Sequence, residues 1–159
     1  MKLKKIKIIG DVMLDQWFEG LDNKKSSEAP INIFQGRKIK NSLGGVGNLC
    51  VNLKSLGKKF KLYSEIGKDR YGKEIQKILK NKNISFDLVK KKQQTTIKKR
   101  YYIFENQIFR EDKEDININK IIGNRLLKNL APNDIVVFSD YNKGSIYKNL
   151  HSKVIKKKC

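Results

Sequence analysis

Two short β-branched runs in this chain end in the same way. Ile6-Lys7-Ile8-Ile9 stops at Gly10-Asp11, and Ile135-Val136-Val137-Phe138 stops at Ser139-Asp140. Each reads as a buried strand that hands over to a loop carrying a carboxylate. Between them the apolar spacing changes repeatedly. Asn41-Ser42 supply capping residues for a helix that runs to about Leu56, with Leu49, Leu53 and Leu56 on one face and Gly57 as its stop. Phe60 to Ile66 is strand-like and ends at Gly67. Asp69 then caps a helix through about Leu79. Ile84 to Val89 is a strand, Ile118 to Leu130 is helical, and Ser145 to about Ile155 is a last amphipathic helix. This order is that of an α/β protein with a mostly parallel sheet flanked by helices.

Two segments interrupt the alternation. Residues 17–37 carry Gly20, Asp22, Asn23, Ser26, Ser27 and Pro30 and read mostly as loop, with Ile31 to Phe34 as a short strand. Thr95 to Phe104 and Ile108 to Arg110 read as a hairpin turned near Glu105-Asn106. Segments 17–40 and 95–112 are antiparallel in character and are expected to form a small separate sheet. No strand follows the final helix, so the parallel layer looks cut short.

Composition narrows the function classes. The net charge of +20 invites a nucleic-acid reading. The positive charge is nearly all lysine, with five arginines, and the lysines spread from Lys2 to Lys158. Aromatic residues are not interleaved as stacking platforms. A lysine-, asparagine- and isoleucine-rich chain with a solvated cationic surface is the expectation, and nucleic acid is not the expected partner. The surplus charge still favours anionic, phosphorylated ligands. The basic start, Met1-Lys2-Leu3-Lys4-Lys5, leads into too short an apolar stretch for a signal peptide, and no run has the length of a membrane span. Cys50 and Cys159 lie far apart and are read as free thiols of a cytoplasmic protein.

Ligands of open α/β sheets bind beyond the carboxyl ends of the strands. Candidate strands end at Asp11, Gly67 and Asp140, which gathers those loops on one edge. Asp11 can accept from two sugar hydroxyls or serve as a turn aspartate; both readings stand on position alone. Gly44-Gly45 allows close approach of a sugar to the backbone, and the helix behind it offers free N–H groups. Asn48, one turn in, can donate and accept. Arg100, Arg110 and Lys143 are cations in or beside strand ends, suited to a substrate phosphate. His151 stands alone, so no metal cluster is suggested, and no Walker-type loop is present.

The motifs together carry a resemblance that covers the whole chain. They are Gly10-Asp11-Val12-Met13-Leu14-Asp15, Ser27-Glu28-Ala29-Pro30-Ile31, Leu43-Gly44-Gly45-Val46-Gly47-Asn48, Ile66-Gly67-Lys68-Asp69 with Gly72, Thr95-Thr96-Ile97-Lys98-Lys99-Arg100, Gln107 with Arg110 and Asp112, and Ser139-Asp140-Tyr141-Asn142-Lys143-Gly144. The chain resembles the ribokinase-like (PfkB-type) carbohydrate kinases, and within them the heptose-7-phosphate kinase branch of lipopolysaccharide-core synthesis. The resemblance implies a partial Rossmann-like ribokinase fold with a small β-lid made by residues 17–40 and 95–112. It implies ATP-dependent phosphorylation of heptose 7-phosphate at the anomeric hydroxyl, with ATP and Mg2+. By matching positions, Asp11, Asp15, Gly44, Gly45 and Asn48 bind the sugar, Asp140 and Lys143 lie at its edge, and Arg100 and Arg110 lie near the lid and the substrate phosphate. A homodimer through the β-lid is a further implied partner.

The chain departs from that pattern in one respect. Family members carry the general base and anion hole in a later G-A-G-D motif, with most of the nucleotide pocket beside it. No G-A-G-D occurs in these 159 residues. The expectation is therefore residues 1–159 as the N-terminal part of a sugar kinase domain, inactive alone, its catalytic half supplied by a second polypeptide or lost. The alternatives are a noncatalytic sugar-binding remnant of the same fold and a basic nucleic-acid-binding domain.

Overall fold

The computed structural model describes residues 5–158. The basic start at Met1–Lys4 and the thiol of Cys159 lie outside the described residues. Four parallel strands make the main sheet: β1 (Ile6–Gly10), β4 (Phe60–Gly67), β5 (Ser85–Lys91) and β8 (Ile135–Ser139), in the order β5-β4-β1-β8. A second sheet, in the order β3-β2-β6-β7, is built from β2 (Val12–Lys25), β3 (Asn32–Gly45), β6 (Ile97–Ile103) and β7 (Asn106–Lys113). The helices are α1 (Val46–Ser55), α2 (Arg70–Asn81), α3 (Ile121–Lys128) and α4 (Leu150–Lys158).

Side-chain alternation along β1 splits the core into two layers. Ile8, with Leu62 and Ile66 of β4, packs against Val46 and Cys50 of α1 and Ile75 and Leu79 of α2. Ile9, with Tyr63, packs against Ile122 and Leu126 of α3 and Leu150 and Val154 of α4. Helices cover both faces of the sheet, which is why β1 and β8 read as mainly apolar runs rather than alternating ones. Burial pushes the Cys50 thiol up to about 12, so it stays protonated and inert. Lys7, at the bottom of the sheet, is held by Asp134 at 2.6 Å and by the Asn129 carbonyl.

The second sheet grows out of the first layer of core. Val12 and Leu14 of β2, Leu43 of β3 and Ile97 of β6 are buried with Ile8 and Leu62. Beyond that root the sheet projects, and it is wider than residues 17–40 and 95–112. It is also mixed rather than antiparallel: β2 runs parallel to β6, while the β2–β3 and β6–β7 pairs are antiparallel.

Three local expectations need correction. Residues 17–37 are largely strand, not loop. The β2–β3 pairing carries register shifts at Glu19/Gly20 and Leu21/Lys24, and such bulges break the two-residue alternation. Asn41-Ser42 do not cap a helix. They lie in β3, opposite Gln16 and Asp15, and α1 starts at Val46 behind Gly45. The last helix starts at Leu150, because Ser145–Asn149 is irregular chain held against Asp11 and the core. Asp69 does cap α2, accepting from the Gly72 amide at 2.7 Å.

Candidate functional site

Strand β1 ends at Gly10, and the chain turns directly into β2 through Asp11. Asp11 is 1% exposed. Its Oδ2 accepts from the amides of Tyr141 at 2.9 Å and Lys143 at 3.1 Å, and its Oδ1 from the Ser145 amide at 2.9 Å. Three amides fill most of a carboxylate's acceptor capacity. Asp11 serves the turn-holding role read from sequence: it pins the loop after β8 to the end of β1. That loop carries the other two predicted edge residues. Asp140 is exposed and accepts from the Asn142 amide at 2.8 Å. Lys143 sends its ammonium to Glu114.

Four residues along β2, Asp15 occupies a different setting. Its carboxylate is partly open and takes a hydrogen bond from Arg100 Nη1 at 2.9 Å. The Arg100 guanidinium also lies over the Trp17 ring, 5.3 Å from its centre. Gly44 closes this corner. A Cβ there would sit 2.5 Å from Asp15 Oδ2, so only glycine leaves the carboxylate its place. Gly45 is required differently. Its φ is +58°, and a Cβ would meet the Asp11 carbonyl at 2.3 Å. Asn48 is exposed in the first turn of α1.

Arg110 faces Arg100 in the β6–β7 register. Its fork is taken up by Asp112, with Nε to Oδ1 at 2.7 Å and Nη2 to Oδ2 at 2.6 Å. That hydrogen bond holds the Asp112 carboxyl below its ordinary range, against the opposing effect of burial. Alternation places Asp15, Trp17, Lys98, Arg100, Arg110 and Asp112 on one face of the second sheet. Of the nine residues predicted for the site, Asp15, Gly44, Arg100 and Arg110 thus share that face or its base. Asp140 and Lys143 lie in the loop after β8, which Asp11 holds from the end of β1, and Gly45 with Asn48 joins the two at the start of α1.

Sequence reading missed Trp17, whose role needs the parallel β2–β6 pairing. It also missed the second job of Asp69. Besides capping α2, that carboxylate accepts from the Thr95 amide at 2.7 Å and the Thr95 hydroxyl at 2.8 Å, tying the root of β6 to α2. Burial pushes the Asp69 carboxyl up, but the bonds from Thr95 and Gly72 outweigh it and leave the group below its usual value.

The family model described as "pfkB family carbohydrate kinase" matches residues 3–157. This chain belongs to the pfkB family of carbohydrate kinases. It is 37% identical over 158 residues to the bifunctional protein HldE of Sulfurimonas denitrificans, covering 95% of this chain and 33% of that protein. With the bifunctional protein HldE of Campylobacter fetus it shares 31% over 154 residues, covering 94% and 34%. The chain therefore spans about a third of the length of these curated relatives. Among solved structures it is similar to the tetrameric inhibited form of phosphofructokinase-2 from Escherichia coli, with a TM-score of 0.79 at 15% identity over 98% of this chain and 53% of that one. A putative phosphofructokinase from Staphylococcus aureus gives 0.74 at 18% identity, covering 96% and 49%. At these identities the structural likeness shows the fold alone, a parallel α/β sheet with a second, curled sheet.

Carbohydrate kinases of the pfkB family use ATP with a divalent metal. Among the described residues no three His, Cys, Asp or Glu side chains are grouped as a metal site. No helix among them is long and apolar enough to cross a membrane.

Proposed function

We propose that these residues form the sugar-phosphate-binding part of an ATP-dependent kinase acting on heptose 7-phosphate at its anomeric hydroxyl, in the supply of lipopolysaccharide-core precursors. The juxtaposition of Asp15, Arg100 and Gly44 carries this reading. A partly exposed carboxylate can accept from two sugar hydroxyls, the bare Gly44 leaves that carboxylate its place, and a guanidinium beside it can take a phosphate oxygen. Lys98 adds positive charge to the same face, where Arg110 lies paired with Asp112. The likeness of the Ser27–Ile31, Thr95–Arg100 and Ser139–Gly144 segments to the heptose-7-phosphate kinase branch supports heptose as the sugar.

In this reading Asp15, Gly44, Gly45 and Asn48 hold the sugar, and Arg100 and Arg110 meet its phosphate. Asp11 acts through the loop that presents Asp140 and Lys143. The 159 residues contain no G-A-G-D sequence, so the general base and anion hole come from outside them. The aromatic face on the other side of the second sheet supports a homodimer through that sheet. Phe18 and Tyr101 stack there at 4.7 Å, and Ile39 and Phe109 are 61% and 58% exposed.

The test is calorimetric binding of heptose 7-phosphate, heptose and fructose 6-phosphate, with ADP release measured alone and with a polypeptide carrying the G-A-G-D half. The reading expects selective binding of heptose 7-phosphate and turnover only in the mixture. Equal binding of all three sugars sinks the heptose assignment; turnover by the chain alone sinks the placement of the base.

A further inference from the structure

Glu65 lies near the carboxyl end of β4 and is 4% exposed. Its Oε2 accepts from Asn119 Nδ2 at 2.9 Å, with Lys91 Nζ 3.9 Å away. Its Oε1 is buried without a donor. Such an oxygen is costly unless a water or a proton answers it. It borders a cavity of about 10 Å³, room for one water at most, whose other walls include Asp11, Thr95, Lys143 and Ser145. Two carboxylates thus share one small enclosure. The Asp11 side of it is the set of three amides that seats the loop after β8.

The groups facing Glu65 can be named from every side. Lys91 comes from β5, Asn119 from the segment before α3, Asp11 from the end of β1, and Lys143 from the loop itself, its ammonium already held by Glu114. Burial, reinforced by Asp11, pushes the Glu65 carboxyl up to about 7, against the pull of Lys91 and Asn119.

We propose that Glu65 is a positioning residue for residues 139–145: with a proton it donates into the shared cavity and leaves Asp11 to hold the loop, and without one it repels Asp11 and loosens those amides. The proposal rests on the sugar-phosphate reading, because the same loop presents Asp140 and Lys143 at that edge.

The experiment compares the unmodified chain with Glu65→Gln and Glu65→Leu from pH 6 to pH 8. Calorimetry with heptose 7-phosphate gives affinity as a ratio between proteins, which removes the ligand's own phosphate ionisation near pH 6. The affinity of the unmodified chain relative to Glu65→Gln is expected to fall at least about fivefold across this range. Amide exchange protection of Tyr141, Lys143 and Ser145 is read on the same samples without ligand. Protection is expected to drop through about pH 7 in the unmodified chain and to stay level in both variants. Parallel affinity profiles overturn the proposal. If no protein binds the sugar phosphate, the functional reading fails and protection alone decides, with an unchanged profile in the variants overturning the role of Glu65.

Discussion

Asp15 and Arg100 meet across two strands that run parallel, β2 and β6, with Nη1 2.9 Å from Oδ1. The two are 85 residues apart in sequence, and neither is fully enclosed. An ion pair that is largely enclosed but reaches solvent contributes more than an exposed one, on the order of 1–2 kcal/mol. What it does is fix a carboxylate and a guanidinium side by side on an open face. That is the arrangement a phosphorylated polyol needs.

Arg100→Ala is therefore expected to separate binding from stability. Loss of a charge-assisted hydrogen bond to phosphate weakens affinity for heptose 7-phosphate by about 10- to 100-fold. The melting temperature should move by less than about 10 degrees. Calorimetry and thermal melting on one preparation check both halves. A large drop in melting temperature with unchanged affinity contradicts the assignment.

Adjacent glycines should fail in different ways. In Gly44→Ala the new Cβ collides with Asp15 Oδ2 at 2.5 Å and Met13 Cγ at 2.8 Å, both side-chain atoms that can move. Asp15 is displaced and sugar binding is lost, while the fold survives. In Gly45→Ala the collision is with the Asp11 carbonyl at 2.3 Å, at a φ of +58°. Backbone cannot step aside, so stability falls by about 1–3 kcal/mol or more. Denaturant midpoints and sugar affinity for the pair of variants distinguish the two mechanisms.

How far the sequence could be read follows the same physics. β1 and β4 are covered on both faces and β8 partly so, and their β-branched and aromatic residues announced them. The Asp69 cap is local chemistry and was equally visible. The β2–β3 ribbon was not, since it projects from the core and its two bulges scramble the alternation. Asp11 was visible as a strand-end carboxylate, but its occupation by three amides depends on a loop 130 residues away. Glu65 gave no signal at all. Inside an apolar strand it reads as an irregularity, and only the fold sets it against Asp11.

Removing the Asp11 carboxylate should unseat that loop. Asp11→Ala leaves the amide of Ser145 without its acceptor at a buried point, and those of Tyr141 and Lys143 at a partly buried one. An unsatisfied buried donor costs about 1–3 kcal/mol and a partly buried one less, so a total loss of roughly 2–4 kcal/mol is expected. Asp11→Asn keeps one acceptor oxygen and should lose less. Urea denaturation gives the ranking, and equal stability of the three proteins refutes the stapling role.

The pH dependence of stability should carry two limbs of opposite sign. For Glu65 the folded carboxyl stands at about 7 against an ordinary 4.5, so the folded state binds its proton more tightly than the unfolded chain. Its contribution is fully present below 4.5 and is lost as pH rises toward 7, a slope worth on the order of 3 kcal/mol in total. Asp69 and Asp134 behave oppositely. Hydrogen bonds overcome the burial of each and hold both below their ordinary 3.8. Their contribution is present above 3.8 and disappears as pH falls through their folded values. Stability should thus rise from pH 8 down to about pH 5 and collapse in stronger acid. Glu65→Gln should flatten the neutral limb, raise stability at pH 8 and leave the acid limb intact. Urea midpoints for both proteins between pH 3 and pH 8 measure this directly. A neutral limb that keeps its slope in Glu65→Gln means that another group is responsible for it.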